Sequence, residues 1–146
     1  DVNATCHVPY GDTESAAQFP LCAAAERGHD RAVKILLSVK NLDINHSNER
    51  GETSLHYAIT HKHLEVVDCL LKDSRIDMNQ STKNGWTPLF SACFRGNIDM
   101  VDRLLMEKER IELDAAQHQG LSPLYIACEN NFPVVVSTHP RTQKRI

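Results

Sequence analysis

The chain has 146 residues, 41% of them hydrophobic and 24% charged, and a formal net charge of -3 at pH 7. That mix belongs to an ordered protein with one core or one stack of small repeats, and it excludes a largely disordered chain. The acidic balance gives no general attraction to phosphate backbones, so nucleic acid is not the default partner; nor does any apolar run approach the roughly 20 residues that cross a bilayer.

In chain order, Asp1 to Ala4 reads as the close of a preceding repeat, and residues 1–17 add an enlarged connection around Tyr10, Gly11 and Asp12. From there the sequence repeats itself. Leu21, Leu55, Leu89 and Leu124 are separated by 34, 34 and 35 residues, and each is followed three positions later by Ala24, Ala58, Ala92 or Ala127. Val33, Val67, Val101 and Val136 recur twelve positions after the leucines, and Gly51, Gly85 and Gly120 recur in the connections. Spacing of the type i, i+3, i+4, as in Leu89, Ala92, Cys93 and again in Val101, Leu104, Leu105, predicts two short amphipathic helices per unit. Thr87-Pro88 and Ser122-Pro123 predict the starts of first helices, with a capping hydroxyl and a proline where its missing N–H costs nothing. Gly28-His29 and Gly96-Asn97 predict the turns between paired helices, and polar stretches such as Ser81 to Gly85 predict hairpin-like fingers between units. The units run over about 18–47, 48–81, 82–116 and, in part, 117–136; residues 137–146 form a basic tail.

The fragments GETSLHYAITHKHLEVVDCLL (Gly51 to Leu71), GWTPLFSACFRGNIDMVDRLL (Gly85 to Leu105) and SPLYIACENN (Ser122 to Asn131) resemble the ankyrin repeat. The resemblance covers roughly Gln18 to Val136. It implies an all-α ankyrin-repeat solenoid of about four helix-turn-helix repeats joined by hairpin-like fingers. It also implies a protein-interaction module or scaffold with a concave face built from fingers and first helices. Two departures stand out: the usual Gly-Ala after the second helix is absent, so those helix ends must be closed in another way, and the family's histidine is present only as His56, with Cys22, Phe90 and Tyr125 elsewhere.

Carried onto this sequence, the resemblance places Gln18, Glu26, Arg27, Glu49, Thr60, Asn84, His118, Gln119, Glu129 and Asn130 on the concave face. Arg50, Glu52, His61, Lys83, Trp86, Phe94, Arg95 and Leu121 join them as the expected contacts for a protein or peptide partner. Trp86 is the chain's one tryptophan, and an aromatic pair with an arginine is what binding hot spots are made of. Two other readings compete: a nucleotide or small-ligand sensor in which Trp86 stacks on a base, and a structural spacer in which Trp86 packs flat against the neighbouring finger.

Five cysteines, odd in number and without a Cys-x-x-Cys pair, disfavour a disulfide framework or a zinc site and fit a cytoplasmic or nuclear protein. Cys93 and Cys128 share one phase and are expected to pack as small apolar residues between units. The histidines fall at repeat-dictated positions rather than at metal-ligand spacings, and no phosphate loop, nucleophile elbow or metalloprotease motif is present. The expectation is therefore a segment that is not an enzyme and needs no cofactor or metal. A chain that begins at Asp1 without Met reads as part of something larger. The open end after Val136 is expected to fray first.

Overall fold

A computed structural model describes residues 19–107 and 109–131. The enlarged first connection, the rest of the partial fourth repeat, the expected fraying of Phe132 to Val136 and the basic tail lie outside the described residues. The chain divides into two compact units, Asp1–Asp77 and Met78–Ile146.

The first unit holds two helix pairs: α1 (Pro20–Glu26) with α2 (Asp30–Leu37), and α3 (Ser54–Thr60) with α4 (Leu64–Leu71). The first helices α1 and α3 pack on each other, as do the second helices α2 and α4. The second unit holds α5 (Pro88–Phe94), paired with α6 (Ile98–Met106), and α7 (Pro123–Glu129), which packs on α5. Among the described residues the fold is thus all-helical, with the predicted helix-turn-helix units.

The recurring apolar positions make the core of each unit. Leu21, Ala24, Val33, Leu55, Ala58 and Val67 are buried in the first, and Leu89, Ala92, Val101, Leu104 and Ala127 in the second. Helices of seven to nine residues are too short to be stable alone, so this burial between neighbouring helices is what holds them. Starts are set locally: Thr87 Oγ1 accepts from the Phe90 N–H at 3.2 Å, and Ser122 Oγ from the Tyr125 N–H at 3.2 Å. α3 uses a histidine instead, since His56 Nδ1 accepts from the Thr53 N–H at 3.3 Å and lies 2.9 Å from Thr53 Oγ1. Turns between paired helices need a left-handed residue, supplied by Gly28 (φ 71°), Lys62 (φ 61°) and Gly96 (φ 66°). Each lets the next N–H reach back to an alanine carbonyl of the first helix, at 2.9 Å for His29 to Ala24, 2.9 Å for His63 to Ala58 and 3.1 Å for Asn97 to Ala92.

The missing Gly-Ala is replaced by side chains that reach across between consecutive repeats. Arg75 donates to the Leu37 carbonyl at 2.6 Å and to those of Val39 and Lys40 at 3.4 Å, closing the end of α2, while the Asp73 carboxylate accepts two further bonds from its guanidinium. Asn45 clamps the following link, donating to the Arg75 carbonyl and accepting from the Asp77 N–H, both at 2.8 Å. Asn79 repeats the clamp in the second unit on Arg110 and Glu112, again at 2.8 Å. Leu42, Ile44, Ile76, Met78 and Ile111 of these links are buried, so the links carry core as well as connection.

One packing expectation is corrected. Cys93 is fully buried, but Cys128 is exposed. Cys93 lies on α5, which is covered by both α6 and α7, whereas among the described residues no helix follows α7 to cover Cys128.

Candidate functional site

The third finger begins with its own closure. The Thr82 N–H donates to the Trp86 carbonyl at 3.0 Å, the Trp86 N–H donates to Thr82 Oγ1 at 3.2 Å, and Gly85 N–H donates to the Thr82 carbonyl at 2.8 Å. Trp86 therefore leaves a rigid turn immediately before the capped start of α5. From there the helical repeat brings Trp86, Phe90 and Phe94 to one side, four residues apart at each step. The Trp86 ring centroid lies 5.2 Å from Phe90 and 4.8 Å from Phe94, tilted by 52° and 49°. Such tilted contacts suit the aromatic quadrupoles and add to the area they bury.

Burial is graded along this row. Phe90 is 1% exposed and anchors the cluster in the core, Trp86 is half-buried, and Phe94 is 54% exposed. The opposite wall is the next finger, closed by Gln117 N–H donating to the Leu121 carbonyl at 2.9 Å and Gly120 N–H donating to the Gln117 carbonyl at 2.8 Å. Gln117 is buried, and its side-chain oxygen accepts from the Gln119 N–H.

The two fingers touch because Gly85 has no side chain. A Cβ there would stand 2.9 Å from the His118 backbone nitrogen and 3.0 Å from Gln117 Cα. In its place the His118 N–H donates to the Asn84 carbonyl at 3.3 Å. Between them lies a cleft of about 280 Å³ lined by Asn84, Trp86, Phe90, Phe94, Gln117, His118, Gln119 and Leu121.

The eight expected contact residues divide into three groups. Trp86, Phe94 and Leu121 are brought together in the cleft. Lys83 and Arg95 are exposed and adjacent in sequence to the lining residues Asn84 and Phe94, but they do not line it. Arg50, Glu52 and His61 belong to the first unit. There Arg50 is exposed, and Glu52 is half-buried and accepts from Asn48 Nδ2 at 2.8 Å. His61 is exposed with its ring between Tyr57 and His63, at centroid distances of 6.5 and 6.2 Å, and donates to the Tyr57 carbonyl at 3.1 Å.

Of the wider concave set, Asn84, His118 and Gln119 line the cleft, while Gln18 lies outside the described residues. Asn130 donates to the Cys93 carbonyl at 2.9 Å and caps α5, and Glu129 accepts from the Tyr125 hydroxyl at 3.1 Å. Phe90 and Gln117 were not anticipated as lining residues. Phe90 stands four residues after Trp86 and could have been found from that spacing, whereas nothing in the sequence marks Gln117.

Among the described residues no group of three or more His, Cys, Asp or Glu side chains could hold a metal ion, and no helix is long and apolar enough to cross a membrane. Cys22 and Cys93 have thiols pushed up to about 12, Cys22 by burial and the charges of Glu26, Asp43 and Glu52, and Cys93 by burial. A thiol that holds its proton so tightly is a poor nucleophile.

Fold and repeat together agree with comparison against known families. The family model for ankyrin repeats (3 copies) matches residues 4–82 and 71–137, and the chain belongs to that family. No curated protein matches the chain. Ankyrin repeats are in general non-catalytic protein–protein interaction modules.

Proposed function

We propose that this chain binds a protein partner through the cleft between the third and fourth fingers, with Trp86 and Phe94 as the anchor and Leu121 as the facing wall. The observation that carries this reading is the graded aromatic row. Phe90 fixes the cluster from below, so Phe94 stays 54% exposed beside a half-buried Trp86 on a surface that needs no reorganisation to receive a ligand. A spacer has no use for such exposure, and a Trp86 packed flat against its neighbour would leave no cleft.

The test is affinity capture with crosslinking, comparing the unaltered chain with Phe94→Ala, Leu121→Ala and a control, Ile35→Ala. Ile35 is 69% exposed on α2 in the first unit, so it reports non-specific adhesion of apolar surface. Partners lost with Phe94→Ala and Leu121→Ala but retained by Ile35→Ala support the cleft. Equal loss in all three, or in none, removes it.

A further inference from the structure

The charges around the cleft specify what it receives. From Met78 to Ile98, and again from Ala115 to Cys128, the sequence holds no aspartate or glutamate, although the chain as a whole is acidic. These two stretches carry every residue that lines the cleft. They also carry Lys83 next to Asn84 and Arg95 next to Phe94, both exposed and neither in an ion pair among the described residues. By contrast, Lys34 lies 2.8 Å from Asp30, Arg75 2.7 Å from Asp73 and Arg110 3.4 Å from Glu107. Of the acidic residues of the second unit, Asp99 and Asp102 lie on α6 and Glu107 to Asp114 after it; Glu129, at the end of α7, stands where Phe94 stands in the preceding repeat and accepts from the Tyr125 hydroxyl at 3.1 Å.

We infer that the cleft takes one large apolar side chain from a peptide segment that carries aspartate or glutamate within a residue or two of it. The inference rests on the cleft being the binding site proposed above. The apolar residue enters between the Trp86–Phe94 pair and Leu121, and the flanking carboxylates meet Lys83 and Arg95 at the rim. Shape favours a peptide side chain over a nucleobase. Rings tilted by 49° and 52° form a notch rather than the flat platform on which a base stacks. Rim cations of this kind act mainly on selectivity and association rate, while the aromatic anchor supplies the affinity.

The probe is a phage-displayed library of random dodecapeptides, selected on the full chain and counter-selected on Phe94→Ala. Enriched tryptophan-free sequences are then titrated against the fluorescence of Trp86, the chain's one tryptophan. The expected result is enrichment of a Leu, Ile or Phe with Asp or Glu within two positions. Binding should weaken about three- to tenfold in Lys83→Glu/Arg95→Glu and on raising the salt concentration. Enrichment that depends on Phe94 but shows no acidic flanks, or that ignores the charge reversal, overturns the acidic-peptide assignment and leaves the cleft as the site. Failure of any peptide to distinguish the unaltered chain from Phe94→Ala overturns the cleft as well. Displacement of the selected peptide by ADP or by a short single-stranded oligonucleotide at similar concentration overturns the choice of a peptide.

Discussion

Residues 48–71 and 82–105 take the same course: a finger closed by a left-handed glycine, a short first helix, a turn and a second helix. Yet Glu52, His56 and Thr60 stand where Trp86, Phe90 and Phe94 stand 34 residues later. In the earlier copy the row is joined by hydrogen bonds. Asn48 accepts from the Arg50 and Glu52 N–H groups and donates to Glu52 and to the Tyr57 hydroxyl, and His56 serves the start of α3. In the later copy the Thr82 side chain accepts a single bond, from the Trp86 N–H, and the row is held by ring packing. A repeat therefore fixes the frame but leaves one row per unit free to be polar and self-satisfied or apolar and open. The open version presents the exposed apolar surface on which the proposed binding rests.

The largest effects should come in alkaline solution, where the two units differ in how salt acts on them. The thiols of Cys22 in the first unit and Cys93 in the second are raised from the ordinary 9.0 to about 12. Between those values the unfolded chain has lost these protons and the folded chain keeps them. Stability is therefore full below about pH 9 and falls as the pH rises towards 12, by up to about 4 kcal/mol for each thiol. Cys22→Ala and Cys93→Ala should each flatten that decline in urea unfolding curves recorded across this range. Added salt should soften the Cys22 part, which includes the charges of Glu26, Asp43 and Glu52, and leave the Cys93 part, which is burial alone. Equal salt dependence in the two variants would contradict that division.

The paired positions His56 and Phe90 come next. Phe90→Ala opens a cavity under Trp86 and is expected to cost about 3–5 kcal/mol. His56→Ala removes a capping acceptor and is expected to cost about 1 kcal/mol. Urea midpoints measure both, and similar costs would mean that the two copies are held together in the same way after all. Phe90→Ala should also shift the emission of Trp86, since the rings lie 5.2 Å apart.

Legibility followed the same division between frame and row. The helix pairs were readable because their apolar positions recur four times in phase, and the starts at Thr87 and Ser122 because Thr-Pro and Ser-Pro state a cap and a first helical residue. The closure of the second helices was not readable. It depends on Arg75 and Asn45 reaching main-chain groups 30 or more residues away in sequence, and long-range side-chain bonds leave no periodic trace. Trp86, Phe94 and Leu121 were legible as a cluster because they break the repeat with large apolar residues at finger and helix positions. Gln117 was not, because it acts through the main chain of its own finger. Lys83 and Arg95 were placed among the contacts by the resemblance, but sequence position alone could not separate a lining residue from one at the rim.

The smallest effect expected is also the most direct test of the shared frame. Ser54 occupies the first position of α3, where Pro20, Pro88 and Pro123 open the other first helices. Its hydroxyl is buried and has no hydrogen-bond partner, which is an unfavourable place for a polar group. Thr53 before it is already extended at φ -94°, ψ 173°, close to the φ -76°, ψ 163° of Thr87 before Pro88, so a proline meets no steric objection from the preceding residue. Its missing N–H is one that the first turn leaves unpaired anyway. Ser54→Pro should therefore stabilise the chain by about 0.4–1 kcal/mol through the lower entropy of its unfolded state, seen as a higher urea midpoint at unchanged slope. Lys62→Gly, at φ 61° where the neighbouring copies have Gly28 and Gly96, should add roughly 0.5–1 kcal/mol by the relief of left-handed strain. If Ser54→Pro instead lowers the midpoint, the first turn of α3 differs from those of α5 and α7, and the polar row of the second repeat has altered the frame as well as the surface.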